Sequence, residues 1–343
     1  MSSLPKTYKA AVLEEQGQPL VIRDVPLELP GPGQVLIKVL ACGVCGSDGH
    51  VQMHGMGPVQ KALPLVLGHE IVGDIVAVGS GVTGFSEGER IGGSWHGGHD
   101  GTCRSCQRGL FQICERGQIN GVSRDGGFAE YALLQTEAAV RLPADADPVE
   151  TAPLLCAGIT VFNGLRKLHI EQGSLVAVQG LGALGHLAVQ YGRAMGYDVV
   201  VLSSNDSKRA YVSELGAIAY VDASSEDSVQ ALQRLGGAAA IVCTAPNPAI
   251  IGGLIGGLQP QGTLLVLSPV SGVQIDMTPM VVRGLRLAGW PSGHALDSQD
   301  AVAFAQRHGI KTLIEPYKFA DIDKAFERMH SGKARFKVVV DMQ

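Results

Sequence analysis

Apolar and polar positions divide the chain into two textures. In the first third, Val35-Leu36-Ile37-Lys38-Val39-Leu40 and the segment from Ile71 to Val78 are rich in β-branched residues and bounded by glycine and proline, which predicts strands. Few convincing helical patterns occur before about residue 150. Beyond it the pattern alternates. Ser174-Leu175-Val176-Ala177-Val178-Gln179 reads as a strand, Leu184 to Met195 as a helix closed by Gly196, Val199-Val200-Val201-Leu202 as a strand, and Ser207 to Leu215 as a helix ending at Gly216. Ala239-Ala240-Ile241-Val242-Cys243, Leu264-Leu265-Val266-Leu267 and Leu285-Arg286-Leu287-Ala288 continue the strand series. Near the end, Ile322, Ala325, Phe326 and Met329 form an apolar helical stripe with Asp321 as the predicted N-cap and Gly332 as the stop, followed by a strand from Phe336 to Val340.

Strands alternating with helices predict βαβ units and a parallel sheet. The predicted layout is a β-rich domain built from both ends of the chain with an α/β domain inserted. The length of 343 residues, too great for one ordinary core, also predicts two domains. A formal net charge of −5 argues against a nucleic-acid or anionic-membrane surface. No apolar run approaches the ~20 residues of a membrane span. The opening MSSLPKTYKA lacks the apolar core of a signal peptide, and seven cysteines without such a signal predict reduced thiols or metal ligands in a cytosolic protein.

Candidate chemistry begins in the Gly-rich turn. Gly180-Leu181-Gly182-Ala183-Leu184-Gly185 follows a predicted strand and opens a predicted helix, the context a dinucleotide fingerprint requires. Its backbone amides approach a pyrophosphate closely, and the helix N-terminus favours the negative charge. At the end of the next strand, where NAD sites usually carry a carboxylate, the chain has Ser203 and Ser204, with Lys208 and Arg209 nearby. Hydroxyls and cations suit a 2′-phosphate, so NADP(H) is favoured. Asp206 lies close enough in sequence to keep the NAD(H) reading open.

The densest motif is D-G-T-C-R-S-C-Q-R-G-L-F-Q-I-C, which holds Asp100, Cys103, Cys106 and Cys114. Four ligands in one short loop predict a closed, structural zinc site. A second set is scattered. Cys45 follows a strand in Cys42-Gly43-Val44-Cys45-Gly46-Ser47-Asp48-Gly49-His50, His69 lies in Gly68-His69-Glu70, and Cys156 lies in Pro153-Leu154-Leu155-Cys156-Ala157-Gly158. Three ligands leave a fourth position open, as a catalytic zinc needs. Spacing alone does not select these three, nor Cys45 over Cys42.

Taken in order, these motifs are similar to those of the zinc-dependent alcohol dehydrogenases of the medium-chain dehydrogenase/reductase family, over nearly the whole chain. The resemblance implies a Rossmann doubly wound parallel sheet (156–294) inserted into a β-rich GroES-like catalytic domain (1–155 and 295–343), with the active site between them. It implies Cys45, His69 and Cys156 as ligands of a catalytic zinc, Glu70 as an occasional ligand, and Asp48 as the partner that orients His69. Asp100, Cys103, Cys106 and Cys114 become the structural site, two zinc ions per chain in all. Thr160 and Lys337 count with the cofactor contacts. A proton route runs from Ser47 through the nicotinamide ribose to His50.

There are three departures from the family pattern. Asp100 stands where cysteine is usual, Lys337 where arginine is usual, and Asn163 and Arg166 have no assigned partner. The implied activity is reversible hydride transfer between a primary or secondary alcohol (aldehyde or ketone) and NAD(P), by a homo-oligomer, with a tetramer favoured over a dimer. The same ligands also suit a tailoring reductase that sends hydride to an activated C=C bond or a natural-product carbonyl. A non-catalytic dinucleotide-binding protein is the remote alternative. His54, Met56, Trp95 and Trp290 are candidate pocket residues, each equally explained by packing.

Overall fold

The computed structural model describes residues 4–343, so the first three residues of the N-terminal segment lie outside the described part. The chain divides into two compact units: residues up to Ile159 with Gly293–Ala303 and Thr312–Gln343, and Thr160–Ser292 with Phe304–Lys311.

In the first unit a seven-stranded sheet carries the order Val140–Arg141, Arg90–Gly93, Glu70–Val78, Gln34–Val44, Lys337–Asp341, Ile314–Lys318, with Tyr131–Gln135 also paired to Gln34–Val44. A three-stranded sheet (Val21–Pro26, Thr7–Leu13, Leu65–Val66) and a two-stranded one (His96–Gly98 with Gln118–Ile119) complete the β-rich body. Side chains such as Leu13, Ile37, Leu65, Ile71, Ile75 and Phe128 are fully buried between these layers, with Phe326 of the Ile322–His330 helix edge-on to Phe128. That burial is the main stabilising term for a half-apolar strand surface.

Register in this sheet sets the site. Glu70 pairs with Gly43, and Val338 pairs with Val44, so Cys45, His69-Glu70 and Lys337 emerge at one end of three neighbouring strands. Gly43 is required there, since a Cβ would collide with the Glu70 carboxylate.

The scarcity of helices predicted before residue 150 is corrected at one functional place. Gly46–His54 is an α-helix. Glycines at 46 and 49 and a single buried aliphatic, Val51, erase any amphipathic stripe, so the periodicity is invisible. Tertiary packing supplies what propensity lacks: Gly49 admits the ring of His330 and the tip of Met329 where a Cβ would clash.

The second unit is a six-stranded parallel sheet in the order Ala219–Asp222, Asp198–Ser203, Leu175–Gln179, Ala238–Cys243, Leu258–Val266, Arg286–Gly289. The order reverses between Leu175–Gln179 and Ala238–Cys243, the switch point where doubly wound sheets bind ligands. The predicted Ser207–Leu215 helix is a 3-10 turn (Asp206–Tyr211) followed by one α-turn (Val212–Leu215), entered through the Asn205 side chain, which accepts from Ser207 N. Asp321 stands at the predicted N-cap, yet its carboxylate accepts no backbone bond and instead takes the Lys324 ammonium at 2.6 Å. Among the described residues no helix is long and apolar enough to cross a membrane.

Candidate active site and metal centres

Four side chains from three separate stretches converge in the first unit. One ligand atom from each of Cys45, His69, Glu70 and Cys156 lies within 4.8 Å of the others. Cys45 Sγ is 3.9 Å from Cys156 Sγ, and His69 Nε2 is 3.3 Å from Cys156 Sγ. Two thiolates on a tetrahedral zinc, each at ~2.3 Å, stand about 3.8 Å apart, so the donor set fits that ion. Glu70 Oε2 is buried without a hydrogen-bond partner, an uncompensated acceptor that a cation in the cluster would satisfy.

Asp48 organises the cluster. Its Oδ2 accepts from Cys45 N at 2.8 Å, and its Oδ1 lies 3.0 Å from His69 Nδ1 and 3.3 Å from Gly68 N. A carboxylate on Nδ1 selects the tautomer that leaves the Nε2 lone pair for a metal. Burial alone would push the His69 ring down; the charge and hydrogen bond of Asp48, helped by Cys45, outweigh it and hold the imidazole well above its usual range. The hydrogen bond from Cys156 holds the Cys45 thiol well below its usual range, with Lys337 and His69 acting the same way. Cys156 is pushed well above by that shared bond and by burial.

Lys337 is 2% exposed, with Nζ 2.5 Å from Glu70 Oε1. Burial pushes the Glu70 carboxyl up to about 7 against the pull of this ammonium. Burial would also strip the Lys337 proton, and Glu70 reverses that. Lys337 therefore braces the Glu70 carboxylate, a partnership across the chain that no local pattern announces. Cys42 is fully buried in the core, and burial pushes its thiol up. Of the candidate pocket residues only Trp95 reaches the cluster, edge-on to His69 at 4.9 Å. Met56 packs on the core of the first unit, and Trp290 lies under Lys167 in the second. Ser47 is half-buried, whereas His50 and His54 are exposed.

The loop cluster is also assembled. Ligand atoms of Asp100, Cys103, Cys106 and Cys114 lie within 4.8 Å of one another, and Cys103 Sγ is 3.8 Å from Cys114 Sγ, again the tetrahedral spacing. Asp100 has other obligations. Its Oδ1 accepts from Thr102 N and Cys103 N at 2.7 and 2.9 Å, and its Oδ2 takes the Arg116 guanidinium at 2.8 Å. Those backbone amides first, then Arg116, hold the carboxyl well below its usual range. Cys106 is buried, which pushes its thiol up to about 12 without a metal, while backbone amides of Cys106 and Glu115 lower Cys103.

In the second unit Gly180 has φ +88°, and Gly182 caps the Ala183–Ala194 helix. A Cβ on Gly185 would collide with the Gly180 carbonyl, whereas one on Gly182 would meet nothing within 4 Å. The first fact explains close helix–strand packing; the second leaves the open cradle a pyrophosphate needs. Leu184 lies in the first turn of that helix, and Thr160 is buried. Ser203 ends its strand, nearly buried, and Ser204 is exposed. Lys208 reaches back to the Leu181 carbonyl at 2.6 Å, which places its ammonium at the Gly-rich turn. Arg209 pairs with Asp206 and lies over the Tyr220 ring. Asn163, unassigned by sequence, donates to Ser292 O at 2.9 Å, and Arg166 covers Phe162.

One chain that carries both a β-rich unit with a three-plus-one Cys/His/Glu cluster and a parallel-sheet unit with a Gly-rich cradle is a zinc- and dinucleotide-dependent oxidoreductase. Comparison with known proteins narrows this. The alcohol dehydrogenase GroES-like domain matches residues 31–144, and the zinc-binding dehydrogenase domain matches 183–307. Alcohol dehydrogenase patD of Penicillium expansum is 51% identical over 99% of each chain, and alcohol dehydrogenase notN of an Aspergillus species is 49% identical over the same share. Among solved structures, the alcohol dehydrogenase of Aeropyrum pernix superposes with a TM-score of 0.89 at 30% identity over 97% of this chain and 100% of its own. A cinnamyl alcohol dehydrogenase of Sorghum bicolor gives 0.88 at 30% identity over 98% of each. The chain belongs to the zinc-dependent alcohol dehydrogenases of the medium-chain dehydrogenase/reductase family and acts on CH–OH groups with a nicotinamide dinucleotide.

Proposed function

We propose that Cys45, His69 and Cys156 hold the catalytic zinc of an NADP(H)-preferring alcohol dehydrogenase, and that Asp100, Cys103, Cys106 and Cys114 hold a second, structural zinc. The carrying observation is the His69 arrangement: Asp48 on Nδ1, Nε2 turned to the two thiols, and an orphaned Glu70 oxygen beside them. When bound there, zinc would supply a Lewis acid that lowers the pKa of a substrate alcohol. Asp48 keeps His69 in its ligating tautomer. Lys337 holds Glu70 back as a reserve ligand. Ser47 accepts the substrate proton as it gives up its own, and His50, one helical turn on and exposed, takes up the relayed proton and releases it to water. Gly180, Gly182, Ala183, Leu184 and Gly185 cradle the pyrophosphate, with Thr160 beside the nicotinamide half.

The NADP(H) preference is supported by Ser203 and Ser204 in place of a carboxylate, by Lys208 and Arg209 nearby, and by Asp206 being engaged with Arg209. Comparing kcat/KM with both cofactors tests it, and a clear preference for NAD(H) would sink it. Self-association, with a homotetramer favoured over a dimer, is supported by the exposed Met277, Val281, Val282 and Leu287 around the edge strand Arg286–Gly289; sedimentation as a monomer would overturn it. Seven free cysteines fit the reducing cytosol.

A further inference from the structure

The Gly46–His54 helix buries Asp48, Gly49, Val51 and Gln52 and turns His50 and His54 outward. The two imidazoles are four residues apart, with ring centroids 5.2 Å from each other and planes at 51°. The turn that carries them is clamped from below. Gln16 Nε2 donates to the carbonyls of Val51 and Gln52 at 2.5 and 2.7 Å, Gly17 N donates to Gln52 O at 2.8 Å, and Gln52 Nε2 donates to Gln18 O at 3.1 Å. The pair is therefore held on a fixed backbone.

Its centroid separation is one that a chelate allows. A metal–nitrogen bond of ~2.0–2.1 Å plus about 1.1 Å from nitrogen to ring centre puts each centroid roughly 3.2 Å from the ion, so two rings at a tetrahedral angle stand about 5.2 Å apart. Histidines at i and i+4 on one helix face are also the spacing that metal-binding helices use, and imidazole suits nickel, copper and zinc.

We propose that His50 and His54 form an accessory site for a borderline divalent transition-metal ion, and that filling it slows turnover. A nitrogen lone pair of His50 committed to the ion cannot take up the proton leaving the active site. The inhibitory half rests on the proton-relay reading above; the binding half rests only on the geometry of the pair.

The test uses zinc-loaded enzyme and Ni²⁺ as probe, in the wild type, His54→Gln and His50→Gln. Calorimetry reads nickel binding, steady-state turnover reads inhibition, and zinc content after titration shows that the resident ions stay in place. The expected result is one nickel per chain in the wild type, with affinity at least about tenfold weaker in either variant. Nickel should lower wild-type kcat severalfold, while His54→Gln keeps its basal kcat and becomes insensitive. Equal nickel affinity and equal inhibition in the wild type and His54→Gln would overturn the site. Nickel bound at the pair with unchanged kcat would overturn the inhibitory role. The relay reading is scored separately on nickel-free His50→Gln: an unchanged kcat and pH profile would show that the relay itself had failed, whatever nickel does.

Discussion

The two sulfur-rich clusters use similar donors and are built in opposite ways. The loop cluster takes all its ligands from fifteen consecutive residues, with local turns (Arg104–Gln107 and Phe111–Ile113) folding them together and three of the four only half-buried. The other cluster gathers Cys45, His69, Glu70 and Cys156 from three distant stretches, and His69 and Glu70 are fully buried. Its support comes from strand register, from Asp48 on the neighbouring helix and from Lys337 near the C-terminus. A locally closed shell braces a lobe; a shell assembled by the whole unit, with an uncommitted carboxylate oxygen inside it, is suited to chemistry.

That contrast is most exposed to test by ligand removal. His69→Ala or Cys45→Ser should lower kcat/KM by roughly a thousandfold or more, since the lost Lewis acid is worth several kcal/mol. Retained activity in either protein would refute the proposed zinc mechanism. Cys106→Ser should act in the opposite sense: one zinc per chain is lost, thermal stability drops by several degrees, and kcat of the enzyme that stays folded changes less than severalfold. If Cys106→Ser abolishes turnover in folded protein, the division between a bracing and a working cluster fails.

A smaller effect concerns Arg116. It is 73% exposed, yet its guanidinium occupies one oxygen of Asp100 while two backbone amides occupy the other. Arg116→Ala frees that carboxylate and removes a nearby positive charge, so the loop should hold zinc about tenfold more tightly in a chelator competition. Unchanged retention, together with unchanged retention in Asp100→Asn, would mean that Asp100 is no ligand and that three thiolates carry the ion.

The mildest effect is a pH dependence at the root of the same loop. His96 is 3% exposed and stacks on His99, and burial, with the charges of His99 and His294, lowers it to about 3. A histidine depressed in the folded state binds its proton more readily in the unfolded chain. Stability is therefore fully present above the ordinary value of 6.5 and is lost as pH falls toward about 3. The slope reaches at most about 1.4 kcal/mol per pH unit. His96→Phe should flatten that acid limb in denaturant titrations at pH 7, 6 and 5, and an equally steep limb would remove His96 as its source.

Much of this was legible in the chain because it is local. The parallel-sheet strands follow from continuous β-branched runs, the Gly180–Gly185 turn from its place between strand and helix, and the loop cluster from ligand spacing. Val35–Leu40 and Ile71–Val78 fall within the observed strands Gln34–Val44 and Glu70–Val78. What stayed hidden has physical causes. The Gly46–His54 helix carries two glycines and one buried aliphatic, so no periodicity announces it. Arg116 resembles any surface arginine, and Lys337 read only as a substituted cofactor contact.

Residue order alone specifies the two textures, the dinucleotide turn and a cage of ligands in one loop, since each depends on residues within a few turns of one another. It does not choose Cys45 over Cys42, nor join either to His69 and Cys156, without the family resemblance. Those choices are made by packing in three dimensions. Sheet register buries Cys42 in the core, sets Cys45 beside His69 and Glu70, and brings Lys337 from the far end of the chain to neutralise a buried carboxylate. A charge in a low-dielectric interior must find its partner in space, and sequence distance places no limit on where that partner comes from.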